Sequence, residues 1–193
     1  MNRFLLLIAV LVVGVVGSAT AAPIQYDFSD SGSGNAPSID FTVGGLTVTV
    51  TASYNGFSNS ANVSRDPHGL GVKNGFLDSS YIDGFWRDDY LTLSFDRTVS
   101  LLGFNFDHDT LNDEFDLYVD GISVAHNLET TGGWESFSLG TYVSDSFTIR
   151  ASEWNDNFVL SGMRVQAVPE PALVFLMGFG LLGMGMMARR RRA

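Results

Sequence analysis

Leu46-Thr47-Val48-Thr49-Val50-Thr51-Ala52-Ser53-Tyr54 places a hydrophobic or aromatic side chain at every second position, with Thr or Ser between. Successive side chains of a strand point to opposite faces, so a period of two marks a strand with one face in a core and the other toward water. Valine and threonine, stiff at χ1, suit such a pleated surface. The pattern recurs down the chain. Leu91, Leu93 and Phe95 alternate with Thr92, Ser94 and Asp96. Leu102, Phe104 and Phe106 alternate with Gly103, Asn105 and Asp107, and Phe115, Leu117 and Val119 with Asp116, Tyr118 and Asp120. Asp120-Gly121 predicts a tight hairpin into residues 122–125. Further strands are predicted over residues 134–139, 146–151 and 157–167, with weaker ones at 24–28 and 39–43. Within 157–167 the apolar phase slips from Phe158 and Leu160 to Met163 and Val165 across Gly162, which predicts a β-bulge.

No window of residues 22–167 carries a helical period. Roughly ten short strands with polar outer faces predict an all-β fold, an antiparallel β-sandwich of jelly-roll type, as one domain over residues 22–167. Residues 55–89 are rich in Ser, Asn, Asp and Gly and too long for a plain loop, so they predict a binding surface or extra short strands.

The chain has 193 residues and a formal charge of −10. The basic residues gather at the ends: residues 22–168 keep six basic and twenty acidic side chains, a net of −14. A body so acidic excludes nucleic-acid binding by phosphate neutralisation and argues against docking on anionic lipid. With no cysteine, disulfides, thiolate zinc sites, Fe–S clusters and thiol nucleophiles are excluded. Fifteen phenylalanines supply a packed core.

Both ends read as addresses. Asn2 and Arg3 precede an apolar run over residues 4–17, and Ala19 and Ala21 fit the small-residue pattern of a signal-peptide cleavage site, which predicts a signal peptide over 1–21 cut by signal peptidase. The run falls short of the ~20 residues that a spanning helix needs. At the other end, Pro169-Glu170-Pro171 precedes an apolar run over residues 172–188 with Gly178, Gly180, Gly183 and Gly185, followed by Arg189, Arg190, Arg191 and Arg192. This predicts a short transmembrane helix whose arginines stay in the cytoplasm while the body lies outside.

That terminal order, over residues 168–193, resembles the PEP-CTERM sorting signal of Gram-negative, biofilm-forming bacteria. The resemblance implies that exosortase, an integral-membrane peptidase, recognises Pro169, Glu170 and Pro171. It implies that the helix is a transient inner-membrane anchor, and that the chain reaches the cell surface or the extracellular matrix, where extracellular polysaccharide is a candidate partner. The body has a resemblance of its own. His68-Gly69-Leu70-Gly71-Val72, Ile82-Asp83-Gly84, Asp88-Asp89-Tyr90-Leu91-Thr92-Leu93 and Asn112-Asp113-Glu114-Phe115 follow a layout similar to that of exosortase-dependent surface proteins, a class that implies no established activity.

Candidate chemistry is sparse. Residues 107–116 hold the densest carboxylate cluster, and close-spaced oxygen ligands suit Ca²⁺. Asp107 and Asp109 fit the first two positions of an EF-hand, but Leu111 fails the third and the glycine is missing. A β-sandwich calcium site would instead use Asp107, Asp109 and Asp113, with Asp88 or Asp89 beside them. The alternative is a solvated acidic loop that blunts a sheet edge. No cofactor is expected, and Ca²⁺ is the one alternative these acids leave open. His68, His108 and His126 are scattered, and no nucleophile elbow or phosphate-binding loop is present. Trp86, Trp134 and Trp154 could stack on sugar rings, with Trp86 and Trp154 in polar loops, or could pack in the core. The expectation is an exported, non-enzymatic surface or extracellular-matrix protein. The rivals are a permanently anchored carbohydrate- or Ca-binding protein and a secreted polysaccharide hydrolase.

Overall fold

The computed structural model describes residues 21–29, 32–55, 59–85, 87–107, 112–130 and 132–169. They hold thirteen strands: β1 (Ile24–Asp27), β2 (Gly34–Ala36), β3 (Ser38–Val43), β4 (Leu46–Tyr54), β5 (Asn59–Asp66), β6 (Gly69–Lys73), β7 (Ile82–Asp83), β8 (Asp89–Asp107), β9 (Glu114–Val119), β10 (Ile122–Glu129), β11 (Trp134–Ser136), β12 (Tyr142–Ala151) and β13 (Asn157–Ala167). The all-β expectation is met. Among the described residues no helix is long and apolar enough to cross a membrane. The signal peptide, apart from Ala21, and the apolar run 172–188 lie outside them.

The ladders do not separate into the two sheets of a sandwich. The 19-residue β8 joins what the periodicity reads as two strands. Its first half pairs with β4, from Tyr54↔Asp89 to Val48↔Phe95. Its second half pairs with β13, from Ala167↔Val99 to Val159↔Asp107. Between them, residues 95–98 bulge out opposite the single residue Asp145 of β12, and Asp96, Arg97 and Thr98 are exposed. A bulge of this size bends a strand sharply and lets it serve two layers. Pairings β4–β5, β5–β6 and β6–β13 then bring the ladder back to β8, so the strands close a barrel-like circuit. β12, β9 and β10 extend the sheet beyond β8.

Local signals hold where they are short-range. Asp120 and Gly121 have φ of 53° and 75°, the left-handed pair of a two-residue hairpin joining Val119 to Ile122. The β13 bulge falls between Leu160 and Gly162. The inner row of the second half of β8 differs from its prediction: Val99, Leu101, Phe104 and Phe106 are buried, and Leu102 is half-buried at a register slip opposite Arg164 and Val165.

The core is aromatic at its centre. Phe106 lies 4.8 Å from Phe115 and 5.1 Å from Phe158, ring centre to ring centre. Tyr26 is buried with its hydroxyl donating to the carbonyl of Leu46 at 2.8 Å. Each fully buried ring or leucine contributes roughly 1.5–3 kcal/mol, which lets a cysteine-free chain hold its fold by packing.

Candidate metal centre

Residues 59–85 contain β5, β6 and β7, and the loop between β6 and β7 lies against the body. Glycines press this wrap onto the body. A Cβ at Gly71 would meet the carbonyl oxygen of Ser80 at 2.0 Å, and one at Gly84 that of Glu153 at 2.1 Å. No side chain fits at either distance, so the glycines of the Gly69-Leu70-Gly71 and Ile82-Asp83-Gly84 stretches are there for close backbone approach. β7 is pinned to β13 through Asp83↔Asn157 and Ile82↔Phe158.

This wrap gathers three carboxylates. Asp78 comes from the loop before β7, Asp83 from β7, and Asp89 from the first residue of β8. Each offers an oxygen within 4.8 Å of the others. Asp83 is 7% exposed and Asp89 is fully buried. Asp83 accepts a close hydrogen bond from the Ser79 hydroxyl and one from the Phe85 N–H at 3.0 Å. Asp78 Oδ2 accepts from the Asn74 N–H at 2.8 Å, and Asp89 Oδ1 from the Asn74 side-chain amide at 3.0 Å. Asp89 Oδ2 is buried without any hydrogen-bond partner. The Lys73 ammonium donates to the backbone carbonyl of Asp78.

The electrostatics follow from burial among like charges. Burial, then the neighbouring charge of Asp83, pushes the Asp89 carboxyl up to about 8. Asp83 is also raised, by burial first, against the hydrogen bonds from Ser79 and Phe85. Beside this corner lies an open groove of about 570 Å³, with Phe76, Leu77, Phe85 and Arg87 in its lining and Asp78 on its wall. Phe76 and Leu77 are 96% and 94% exposed.

The sequence-predicted calcium set is not what the fold gathers here. Of that set only Asp89 belongs to the corner. Asp107 sits 3.2 Å from the His68 ring. Asp113 is buried, and its carbonyl accepts from the N–H and hydroxyl of Thr130 at 2.9 and 3.0 Å. Asp88 takes Arg150 at 3.1 Å. Asp109 and His108 lie outside the described residues. The three histidines give no joint site among the described residues: His126 lies 3.4 Å from Asp116, well away in the chain from the His68–Asp107 pair. Sequence reasoning missed Asp78 and Asp83 because they are isolated acids in a polar stretch. The signal that points to the corner is the pair of glycine motifs flanking it.

Of the tryptophans, Trp154 is 71% exposed on the loop that touches Gly84. Trp134 lies under the Arg164 guanidinium, 3.8 Å from its ring centre, and Trp86 lies outside the described residues. Of the sorting residues, Pro169 ends the described chain and is exposed. Ala19, Glu170, Pro171 and the four arginines lie outside it.

No curated protein and no solved structure matches the chain. One family model does match, over residues 167–192, and it is that of the PEP-CTERM protein-sorting motif. The chain therefore carries the PEP-CTERM sorting signal, and with it the mark of an exported protein processed by exosortase.

Proposed function

We propose that this is a non-enzymatic surface or extracellular-matrix protein whose β-body is the delivered part and whose tail is a transient inner-membrane anchor. The sorting motif at residues 167–192 carries the reading. The arrangement Pro169-Glu170-Pro171, apolar run, Arg189–Arg192 supports it. Each arginine resists crossing the apolar layer by ~2.5–3.5 kcal/mol, which keeps the tripeptide on the outer side. The non-enzymatic part rests on the corner described above. Among the described residues, the gathered carboxylates Asp78, Asp83 and Asp89 bury Asp89 completely, out of reach of a glycosidic oxygen, although a retaining glycosidase needs two carboxyl groups only about 5–5.5 Å apart.

Intact mass of the mature protein from its own cells tests the proposal. The expected mass has lost residues 1–21 and the tail beyond the Pro-Glu-Pro tripeptide. Glu170→Ala is expected to leave uncut precursor in the inner membrane with the melting temperature of the body unchanged. A mature chain that retains residues 172–188 would establish a permanent anchor instead. A second reading, contact with polysaccharide, is supported by the exposure of Trp154, an aromatic face free to stack on a sugar ring. Loss of polysaccharide retention in Trp154→Ala tests it.

A further inference from the structure

We propose that Asp78, Asp83 and Asp89 bind one Ca²⁺ ion that ties residues 74–85 to the β-body. This goes beyond the sorting reading and does not depend on it.

Three observations converge. First, an oxygen from each carboxylate lies within 4.8 Å of the others. Two ligands across a Ca²⁺ ion at 2.3–2.6 Å each stand about 4.6–5.2 Å apart, so the three oxygens are close enough to converge on one ion with small shifts. Second, Asp89 Oδ2 is wholly buried and has no hydrogen-bond partner. A bare carboxylate oxygen inside a protein is costly, and either a proton or a bound cation offsets it. Third, the carboxylates are held in place from behind: Asn74 bonds both Asp78 and Asp89, while Ser79 and the Phe85 N–H hold Asp83. Such outer hydrogen bonds orient metal ligands. Donors made of oxygen alone select a hard cation over zinc or copper.

The Lys73 ammonium is engaged by the backbone carbonyl of Asp78, not by a carboxylate. Asp78 also lines the open groove, which gives the ion a route in. The ligands come from the loop, from β7 and from the start of β8, so one ion fastens the wrap at three points.

The test uses the full-length chain purified in detergent, stripped with chelator and titrated with CaCl₂ by calorimetry. A single saturable site is expected, with a Kd in the range of roughly 10⁻⁴–10⁻³ M found in extracellular modules. At about 1 mM Ca²⁺ the melting temperature is expected to rise by about 1–6 °C. Chymotryptic cleavage at the exposed Phe76 and Leu77 is expected to slow in parallel. Asp89→Asn keeps the shape and removes the charge; it is expected to weaken Ca²⁺ at least about tenfold and to abolish the protection. Asp83→Asn gives the same readout should Asp89→Asn fold poorly, and Asp107→Asn should bind as the parent does. The proposal is overturned if the parent chain shows neither heat nor a melting shift with Ca²⁺. It is equally overturned if Asp89→Asn and Asp83→Asn bind as tightly as the parent, if Asp107→Asn alone loses binding, or if Mg²⁺ binds more tightly than Ca²⁺.

Discussion

Two regions of this molecule bury aspartates, and they treat them in opposite ways. At Asp116, burial pushes the carboxyl up, but the Ser152 hydroxyl, the Asn127 N–H and the Arg150 guanidinium outweigh it and hold the group below its ordinary value. Ser152 donates at 2.7 Å and Asn127 at 3.1 Å, and Arg150 bridges Asp116 to Asp88. At Asp89, burial and the charge of Asp83 outweigh the Asn74 amide and the Asp83 backbone, which pull the other way, and the group is pushed up to about 8. Burial is shared, so burial alone does not decide the charge state. The count of donors and the sign of the nearest charge do. The Asp116 carboxylate is partnered within the chain and its bonds stitch β9 to β12, while Arg150 Nε stays buried without a hydrogen-bond partner. At the Asp89 corner the atom left without a hydrogen-bond partner is a carboxylate oxygen, Asp89 Oδ2.

The sharpest break of this comparison is Arg150→Met. It leaves Asp116 buried without its cation, and a loss of about 3–5 kcal/mol is expected from denaturant melts. An effect under about 1 kcal/mol would mean that Ser152 and Asn127 suffice. The opposite sign is expected at the other corner. In chelator at pH 8, Asp89→Asn should stabilise the protein by about 1–3 kcal/mol, because it removes a charge the fold disfavours.

The pH limbs sharpen the contrast further. A raised folded pKa, as at Asp89, gives stability present in full below the unfolded value of about 4 and lost as pH rises toward about 8. A lowered one, as at Asp116, gives stability present above about 4 and lost as pH falls through the folded value. Metal-free protein should therefore lose stability from pH 5 to pH 8 in thermal melts, and Asp89→Asn should flatten that slope. Asp116→Asn should instead flatten the acid limb below pH 4, an effect of about 1 kcal/mol. The smallest effect is expected at the rim: Trp154→Ala, on an exposed loop, should change stability by less than about 0.5 kcal/mol.

Much of the fold was legible in the chain. The alternation of Leu46, Val48, Val50 and Ala52 against Thr47, Thr49 and Thr51 became β4 with its inward row buried. Asp120-Gly121 made its hairpin, and Gly162 its bulge. Asp96-Arg97-Thr98 misled because three exposed polar residues read as a turn between strands. They are instead the corner of one strand whose two halves pair with β4 and β13, partners about forty residues before it and sixty after. The candidate site was less legible. Residues 107–116 are dense in acids, yet density along the chain is a local property, whereas a ligand set is a matter of convergence. Asp107 and Asp113 went to His68 and to the interior, and Asp78, Asp83 and Asp89 met because Gly71 and Gly84 allow two backbones to touch.

The sequence by itself determined the strand periods, the hairpin and bulge positions, and the sorting signal at residues 167–192, since each is written in neighbouring residues and read at short range. Only the tertiary structure decided that the ladder closes on itself through the bend of β8, and that three carboxylates scattered over residues 78–89 share one buried corner. Both depend on strand pairings and backbone contacts between residues far apart in the chain, whose free energy no local pattern encodes.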